Sequence, residues 1–130
     1  MALNDLDVER WPTVPRMEIV DLTVRDWLRV EDWNSVGAHA ASVAFGTGEA
    51  HVRVLRLGAG GRIGLHETGF GQLFVPIDGT GWVKQGSHEA AIRAGQAAYF
   101  PKGVIHAKGS ATGMVALVIQ VDDLELGGEV

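Results

Sequence analysis

The sequence of 130 residues contains no cysteine. It therefore has no disulfide framework, no thiolate metal ligand and no thiol nucleophile, and it suits a reducing compartment. Any metal ligand has to come from histidine, a carboxylate or a neutral oxygen. The function classes that depend on cysteine chemistry are excluded.

Long apolar runs and clusters of basic residues are also missing. The longest apolar stretch, residues 114–119, is far too short to cross a bilayer, and the acidic first ten residues have no apolar core of a secretory signal. The net charge is -5, and single, scattered basic residues form no stripe for a phosphate backbone. We predict a cytoplasmic protein that binds neither nucleic acid nor a membrane.

Helical periodicity is not sustained over the ~10 to 12 residues that a helix requires. Glycine is abundant, with 18 residues against four prolines, and it separates short apolar segments. An all-β protein follows, because closed or layered sheets hide the edges of many short strands. The predicted strands are 17–22, 41–45, 51–57, 63–67, 72–77, 82–85, 89–92, 97–100, one opening at 106, and 114–121, with turns at 46–48, 78–79, 86–87 and 101–103.

Two segments bounded by glycine carry polar residues at fixed spacing. The first, from Gly60 to Gly79, is G(X)5HET(X)3Q(X)6G, and the second, from Gly95 to Ser110, is G(X)5PKG(X)2H(X)3S. They resemble the cupin signatures G(X)5HXH(X)3-4E(X)6G and G(X)5PXG(X)2H(X)3N. Every spacing agrees, whereas Thr68, Gln72 and Ser110 stand where the signatures have histidine, glutamate and asparagine.

The cupin resemblance implies a double-stranded β-helix, also called a jelly-roll barrel. We assign residues 36–130 to this barrel and residues 1–35 to an N-terminal arm and lead-in of the same unit. The lead-in holds Trp11, Trp27 and Trp33, which either cap the barrel or cover a partner's sheet. The strands that are apolar on both faces and these tryptophans predict a homodimer, and the resemblance implies the same because cupins are commonly dimeric.

The resemblance also implies that His66, Thr68, Gln72 and His106 meet inside the barrel. Cupins hold Fe, Mn, Ni, Zn or another divalent ion with three histidines and a glutamate. This chain keeps two imidazoles, so any metal site consists of His66, Gln72 and His106, with Glu67 added if a bulge turns it inward. Since Gln72 is neutral and Thr68 is a poor ligand, we slightly favour a metal-free pocket over a bound divalent ion.

Without metal, His66 and His106 are candidates for general acid and base, or for hydrogen bonds to a ligand. Lys108 shares a face with His106 and can recruit a carboxylate or phosphate if that face points inward. The usual exposure of lysine favours a surface position instead. Arg53 and Arg56 lie on opposite faces of one strand, so at most one of them points inward.

Thr68, Gln72, Lys108 and three aromatic residues are the candidate ligand-binding residues. The aromatic candidates for pocket walls are Phe74, Trp82 and Tyr99, each of which is more commonly ordinary core. Two functions remain open. The first is a pocket that binds a small organic molecule, and the second is a metal-dependent enzyme of the dioxygenase, isomerase or decarboxylase type.

Overall fold

The computed structural model describes residues 16–127, and this part of the chain is almost entirely β-structure. No helix in it is long and apolar enough to cross a membrane. The elements are β1 Glu18–Asp21, β2 Leu28–Arg29, a 3-10 turn Asp32–Asn34, β3 His39–Ala40, β4 Ala44–Leu57, β5 Arg62–Glu67, β6 Gly71–Gln85, β7 His88–Arg93, β8 Gln96–Phe100, β9 Ile105–Gly109 and β10 Met114–Leu126.

Eight of the strands form two antiparallel sheets that share β6, and β2 pairs only with β3 in a separate two-stranded sheet. One sheet has the order β1-β8-β6-β10-β4, and the other is built from β7, β6, β9 and β5. Their inner faces enclose one apolar cluster, in which Phe74, Val83, Phe100, Ala116 and Ala98 have no measurable or almost no solvent exposure. The predicted all-β jelly-roll fold is confirmed.

The turn predicted at residues 78–79 is wrong, because β6 continues through it. Gly79 has a φ of +83°, and the ladder with β10 shifts register near this point. The positive φ of Gly79 belongs to an irregularity at which β6 passes from the first sheet to the second. A sequence pattern of Asp-Gly cannot distinguish such a bend from a hairpin turn.

The turn predicted at residues 46–48 is wrong for a similar reason. Residues 44–57 form one strand, and its ladder with β10 shifts register between Val121 and Asp123. A Cβ on Gly46 would overlap the carbonyl oxygen of Asp123, so this glycine permits close approach of two backbones. The turns at 86–87 and 101–103 are confirmed.

Replacement of Gly79 by alanine is expected to destabilise the fold by about 2 kcal/mol or more, because a positive φ and a steric overlap both oppose it. The new Cβ would overlap the carbonyl oxygen of Gly113 and approach Met114 Cα to 2.9 Å. Gly64→Ala is the control, since no atom lies within 4 Å of its Cβ position. Urea unfolding of both variants measures the effect, and equal stabilities would contradict this interpretation of Gly79.

The lead-in contributes structure to the barrel before residue 36. β1 pairs with β8 along its whole length, from Glu18 opposite Tyr99 to Asp21 opposite Gln96. Trp27 and Trp33 are exposed, the second by 87%, so Trp33 does not cap the barrel within this chain. Trp11 lies outside the described residues, and the domain boundary at residue 35 stays a prediction.

Candidate functional site

A row of polar side chains crosses the inner face of the first sheet. Gln72 on β6 lies opposite Phe100 on β8 and opposite Gln120 on β10, and Gln120 lies opposite His51 on β4. Directly opposed residues of antiparallel strands share a face. Because Phe100 belongs to the enclosed core, the whole row points into the barrel.

The second sheet presents three basic residues to the same interior. His66 on β5 lies opposite His106 on β9, and Lys108 lies opposite Val83, which belongs to the enclosed core. His106 and Lys108 are two residues apart on β9 and therefore share its inner face. His66 is exposed at the mouth, whereas His106 is fully buried behind it.

Lys108 is the residue whose position differs most from the sequence-based expectation. The surface position favoured for it is wrong, because only 3% of the residue is exposed. Its ammonium group donates a hydrogen bond to Gln72 Oε1 and lies 5.0 Å from the centre of the Phe74 ring and 5.7 Å from that of Phe100. Two aromatic faces and an amide oxygen thus surround the cation.

Burial of Lys108 lowers its pKa to about 8. Across residues 16–127 no carboxylate forms an ion pair with it. A lysine that is almost fully buried is normally paired with an acid, since an unpaired charge is costly to remove from water. At neutral pH the barrel interior therefore contains a positive charge that a neutral amide oxygen and two aromatic rings stabilise.

His66 and His106 form a hydrogen bond in which the donor and the acceptor can be assigned. His66 Nδ1 lies 2.8 Å from the carbonyl oxygen of Gly64, which can only accept, so this nitrogen carries a hydrogen. The Nε2 atom of a neutral His66 ring then accepts from Nε2 of His106, at 3.2 Å. His106 Nδ1 is left as a buried acceptor with no partner among the side chains and backbone groups that the structure describes.

Burial lowers the pKa of His106 to about 3, and the charges of Lys108 and His66 act in the same direction. His106 also packs edge-on against Phe100, with the ring centres 4.3 Å apart. The neutral imidazole is therefore the resident form at physiological pH. It can accept a hydrogen bond from a bound molecule, but it adds no charge to the barrel interior.

The remaining motif positions have local structural roles. Thr68 is buried, and its hydroxyl donates to the backbone oxygen of Phe70. Ser110 Oγ donates to Thr80 O at 2.6 Å and accepts from Gly113 N at 2.8 Å, which fixes the turn before β10. Glu67 lies opposite the exposed Ile105, on the face of β5 that points away from His106.

Arg53 is the arginine that points inward. It lies opposite Val118, a core residue, and its guanidinium donates to Gln120 Oε1 at the exposed end of the barrel. Arg56 lies opposite Val115 on the other face.

Gln120 was not identified as a site residue from the sequence, although a single polar residue within the apolar run 114–121 is a recognisable signal.

Of the three aromatic candidates, only Phe74 reaches the basic residues. Trp82 lies opposite Gly109, on the face of β9 that points away from His106 and Lys108. Tyr99 lies opposite Leu73 and donates to Leu124 O at 2.8 Å, in a second apolar cluster outside the barrel interior. Phe100, not singled out in the sequence, occupies the wall position between His106 and Lys108.

A divalent ion fits these residues poorly. Two ligands of one tetrahedral zinc ion lie about 3.3 Å apart, so the 3.2 Å between the two Nε2 atoms suits a shared ion. The described chain contains no cluster of three or more histidine, cysteine or acidic residues, however. Gln72 Oε1, the expected third ligand, accepts from the Lys108 ammonium instead, and that positive charge would repel a metal ion.

No protein-family model and no curated protein matches the sequence. Solved structures do match the fold. A conserved protein of unknown function from Streptococcus pyogenes has a TM-score of 0.55 and 20% identity over 58% of this chain and 67% of its own. A cupin superfamily protein from Desulfitobacterium hafniense has a TM-score of 0.54 and 13% identity, with coverage of 62% and 77%.

A salicylate 1,2-dioxygenase from Pseudoaminobacter salicylatoxidans also matches, with a TM-score of 0.53 and 16% identity. The match covers 62% of this chain but only 26% of the dioxygenase. At these identities the likeness concerns the fold. The chemistry has to be argued from the side chains of this chain.

Proposed function

We propose, on the premise that the chain has the cupin fold, that it binds a small organic molecule inside the mouth of its barrel. The observation that carries the proposal is the convergence of His66, His106, Lys108 and Gln72 beside the apolar rings of Phe74 and Phe100. Small-molecule sites are typically apolar cavities with a few convergent polar groups. A purely structural core would not need buried polar groups with unused hydrogen-bonding capacity.

The unused hydrogen-bonding capacity belongs to two identifiable groups. The Lys108 ammonium has three donors, of which one is taken by Gln72, and His106 Nδ1 is a buried acceptor without a partner in the described chain. Leaving such groups unsatisfied costs about 1 to 3 kcal/mol each. A bound molecule that accepts from Lys108 and donates to His106 would remove both costs.

The alternative is a metal-dependent enzyme that uses His66, Gln72 and His106 as ligands for Fe, Mn, Ni or Zn. The spacing of the two imidazole nitrogens favours it, whereas the Lys108 ammonium at Gln72 opposes it. Thr68 and Glu67 do not complete the ligand set, since one is turned to the backbone and the other lies on the outer face.

Binding is tested by thermal unfolding at pH 7 against sugars, keto acids and phenols. At least one class is expected to raise the melting temperature, because a ligand at 100 times its Kd adds about 2.7 kcal/mol to the native state. His66→Ala should diminish the shift, whereas His39→Ala, at an exposed position on β3, should preserve it. A flat response to every class would contradict the proposal.

The homodimer and the cytoplasmic location are proposals as well. β4 is an edge strand of the first sheet, and Val52 and Val54 on it are exposed by 66% and 68%. An apolar edge strand of this length favours pairing with a second copy. The lack of cysteine favours a reducing compartment.

A further inference from the structure

We infer that the molecule bound in the barrel is a small organic carboxylate and that the Lys108 ammonium is its counter-ion, with Arg53 as a second cation at the rim. The inference rests on the proposed binding function and names the ligand class. The motifs have the spacing of a metal site, yet the cation beside Gln72 is the ammonium group of Lys108.

The first observation is an uncompensated charge. The only ion pairs among residues 16–127 join Glu49 to His51 and Lys102 to Asp122, and neither includes Lys108 or Arg53. Glu49 is largely exposed at the rim of β4, where its carboxylate contacts His51 Nε2 at 2.5 Å. The interior therefore keeps a net positive charge, which a single carboxylate can balance.

The second observation is the way in which glutamines hold the two cations. Gln72 Oε1 accepts from Lys108, and Gln120 Oε1 accepts from Arg53. An amide oxygen orients a cation without neutralising it, so each cation keeps its charge and its remaining N–H donors. Gln72 and Gln120 lie opposite each other on β6 and β10, which places these two contacts side by side.

The third observation is the short span between the cations. Arg53 lies opposite Val118 and Val118 opposite Phe74, above whose ring the Lys108 ammonium lies at 5.0 Å. Adjacent strands are about 4.8 Å apart, so the backbones of Arg53 and Phe74 are separated by about 10 Å. Both cations therefore lie within reach of one small molecule that enters past His66 and Arg53, the exposed residues of the mouth.

Lysine and arginine recognise a carboxylate by charge-assisted hydrogen bonds, which are about twice as strong as neutral ones. The amide of the same acid has nearly the same shape but no charge. A matched pair of carboxylate and amide thus isolates the electrostatic part of binding. A pocket that merely collects small molecules would not distinguish the two.

The test is calorimetric titration at pH 7 with benzoate, pyruvate and lactate and with the amide of each acid. The parent should bind at least one carboxylate about 10-fold or more tightly than its amide, since a hydrogen bond to a charged group contributes about 1.5 to 3 kcal/mol. Lys108→Met should abolish this preference, and Arg53→Met should reduce it. The controls are Lys84→Met, on the neighbouring strand β6 next to the inward-facing Val83, and Arg56→Met, on the same strand as Arg53. Both side chains lie on outer faces, so these variants should bind like the parent.

Gln72→Glu is a second, independent variant. It places an internal carboxylate beside Lys108, so it should exclude the external carboxylate whether or not Lys108→Met folds. Equal affinity for carboxylates and amides, binding of neutral sugars alone, or a preference that survives both substitutions would overturn the carboxylate inference and leave the binding function standing. Failure of these acids and amides to bind, together with a flat response to the sugars, keto acids and phenols of the thermal test, would overturn the binding function itself.

Discussion

The double variant Gln72→Glu, Lys108→Met is expected to retain about one equivalent of zinc or nickel per chain after incubation and desalting, whereas the parent retains none. His66 and His106 already have their Nε2 atoms 3.2 Å apart, and three protein ligands are enough for zinc. The first substitution adds the missing negative ligand, and the second removes the ammonium that occupies its oxygen. Elemental analysis of both proteins measures the change.

The single variants are the controls for this gain of metal. Gln72→Glu alone should bind little metal, because its carboxylate pairs with Lys108. Lys108→Met alone should bind metal weakly, because two imidazoles and a neutral amide are a poor set of ligands for a hard cation. One equivalent of metal in the parent, or no metal in the double variant, would refute the role assigned to Lys108.

Acidification from pH 7 to pH 5 is expected to cost the parent about 2 kcal/mol of unfolding free energy through His106 alone. The folded-state pKa is about 3, below the ordinary value of 6.5 in the unfolded chain. Between these values the unfolded chain binds a proton that the folded chain does not, so stability is lost as the pH falls through 6.5. Above pH 6.5 neither state is protonated, and this contribution vanishes.

Urea unfolding at pH 7 and pH 5 measures this dependence. His106→Gln should be less stable than the parent at pH 7 but should lose about 2 kcal/mol less on acidification. His39→Gln, at an exposed position, should keep the slope of the parent. If His106→Gln and the parent have the same slope, His106 is not a buried neutral imidazole.

The fold could be predicted from the sequence because the spacing of glycines and of short apolar segments reflects local backbone geometry. The hairpin at residues 86–87 and the strand before Pro101 are examples. Two turns were predicted wrongly, at Gly46–Gly48 and at Gly79, because a glycine with positive φ serves a turn and a bulge equally well. Only the partner strand decides between them, and the partner is remote in sequence.

The candidate site could be predicted from the sequence only in part. The motif spacing correctly brought His66 and His106 together on opposed strands. It could not show that Lys108 donates to Gln72, because that contact joins strands 36 residues apart and depends on both inner faces. The relevant substitution is nonetheless visible in the sequence. Gln72 stands where the cupin signature has glutamate, and its strand faces the interior Lys108.

Gln72 and Lys108 are best understood together. With glutamate at position 72, Lys108 would be neutralised, and with an apolar residue at 108, Gln72 Oε1 would lose its donor. The pair as it stands keeps a cation oriented, dehydrated and uncompensated, which is costly for stability and useful only to a ligand of opposite charge. We propose that binding of an anion offsets this cost.

A single calorimetric comparison decides whether Lys108 is the cation of this pocket. Benzoate, pyruvate and lactate, each beside its own amide, are titrated into the parent and into Lys108→Met at pH 7. We expect the parent to prefer at least one carboxylate about 10-fold or more and Lys108→Met to show no preference. Equal binding of acid and amide by the parent would contradict the assignment.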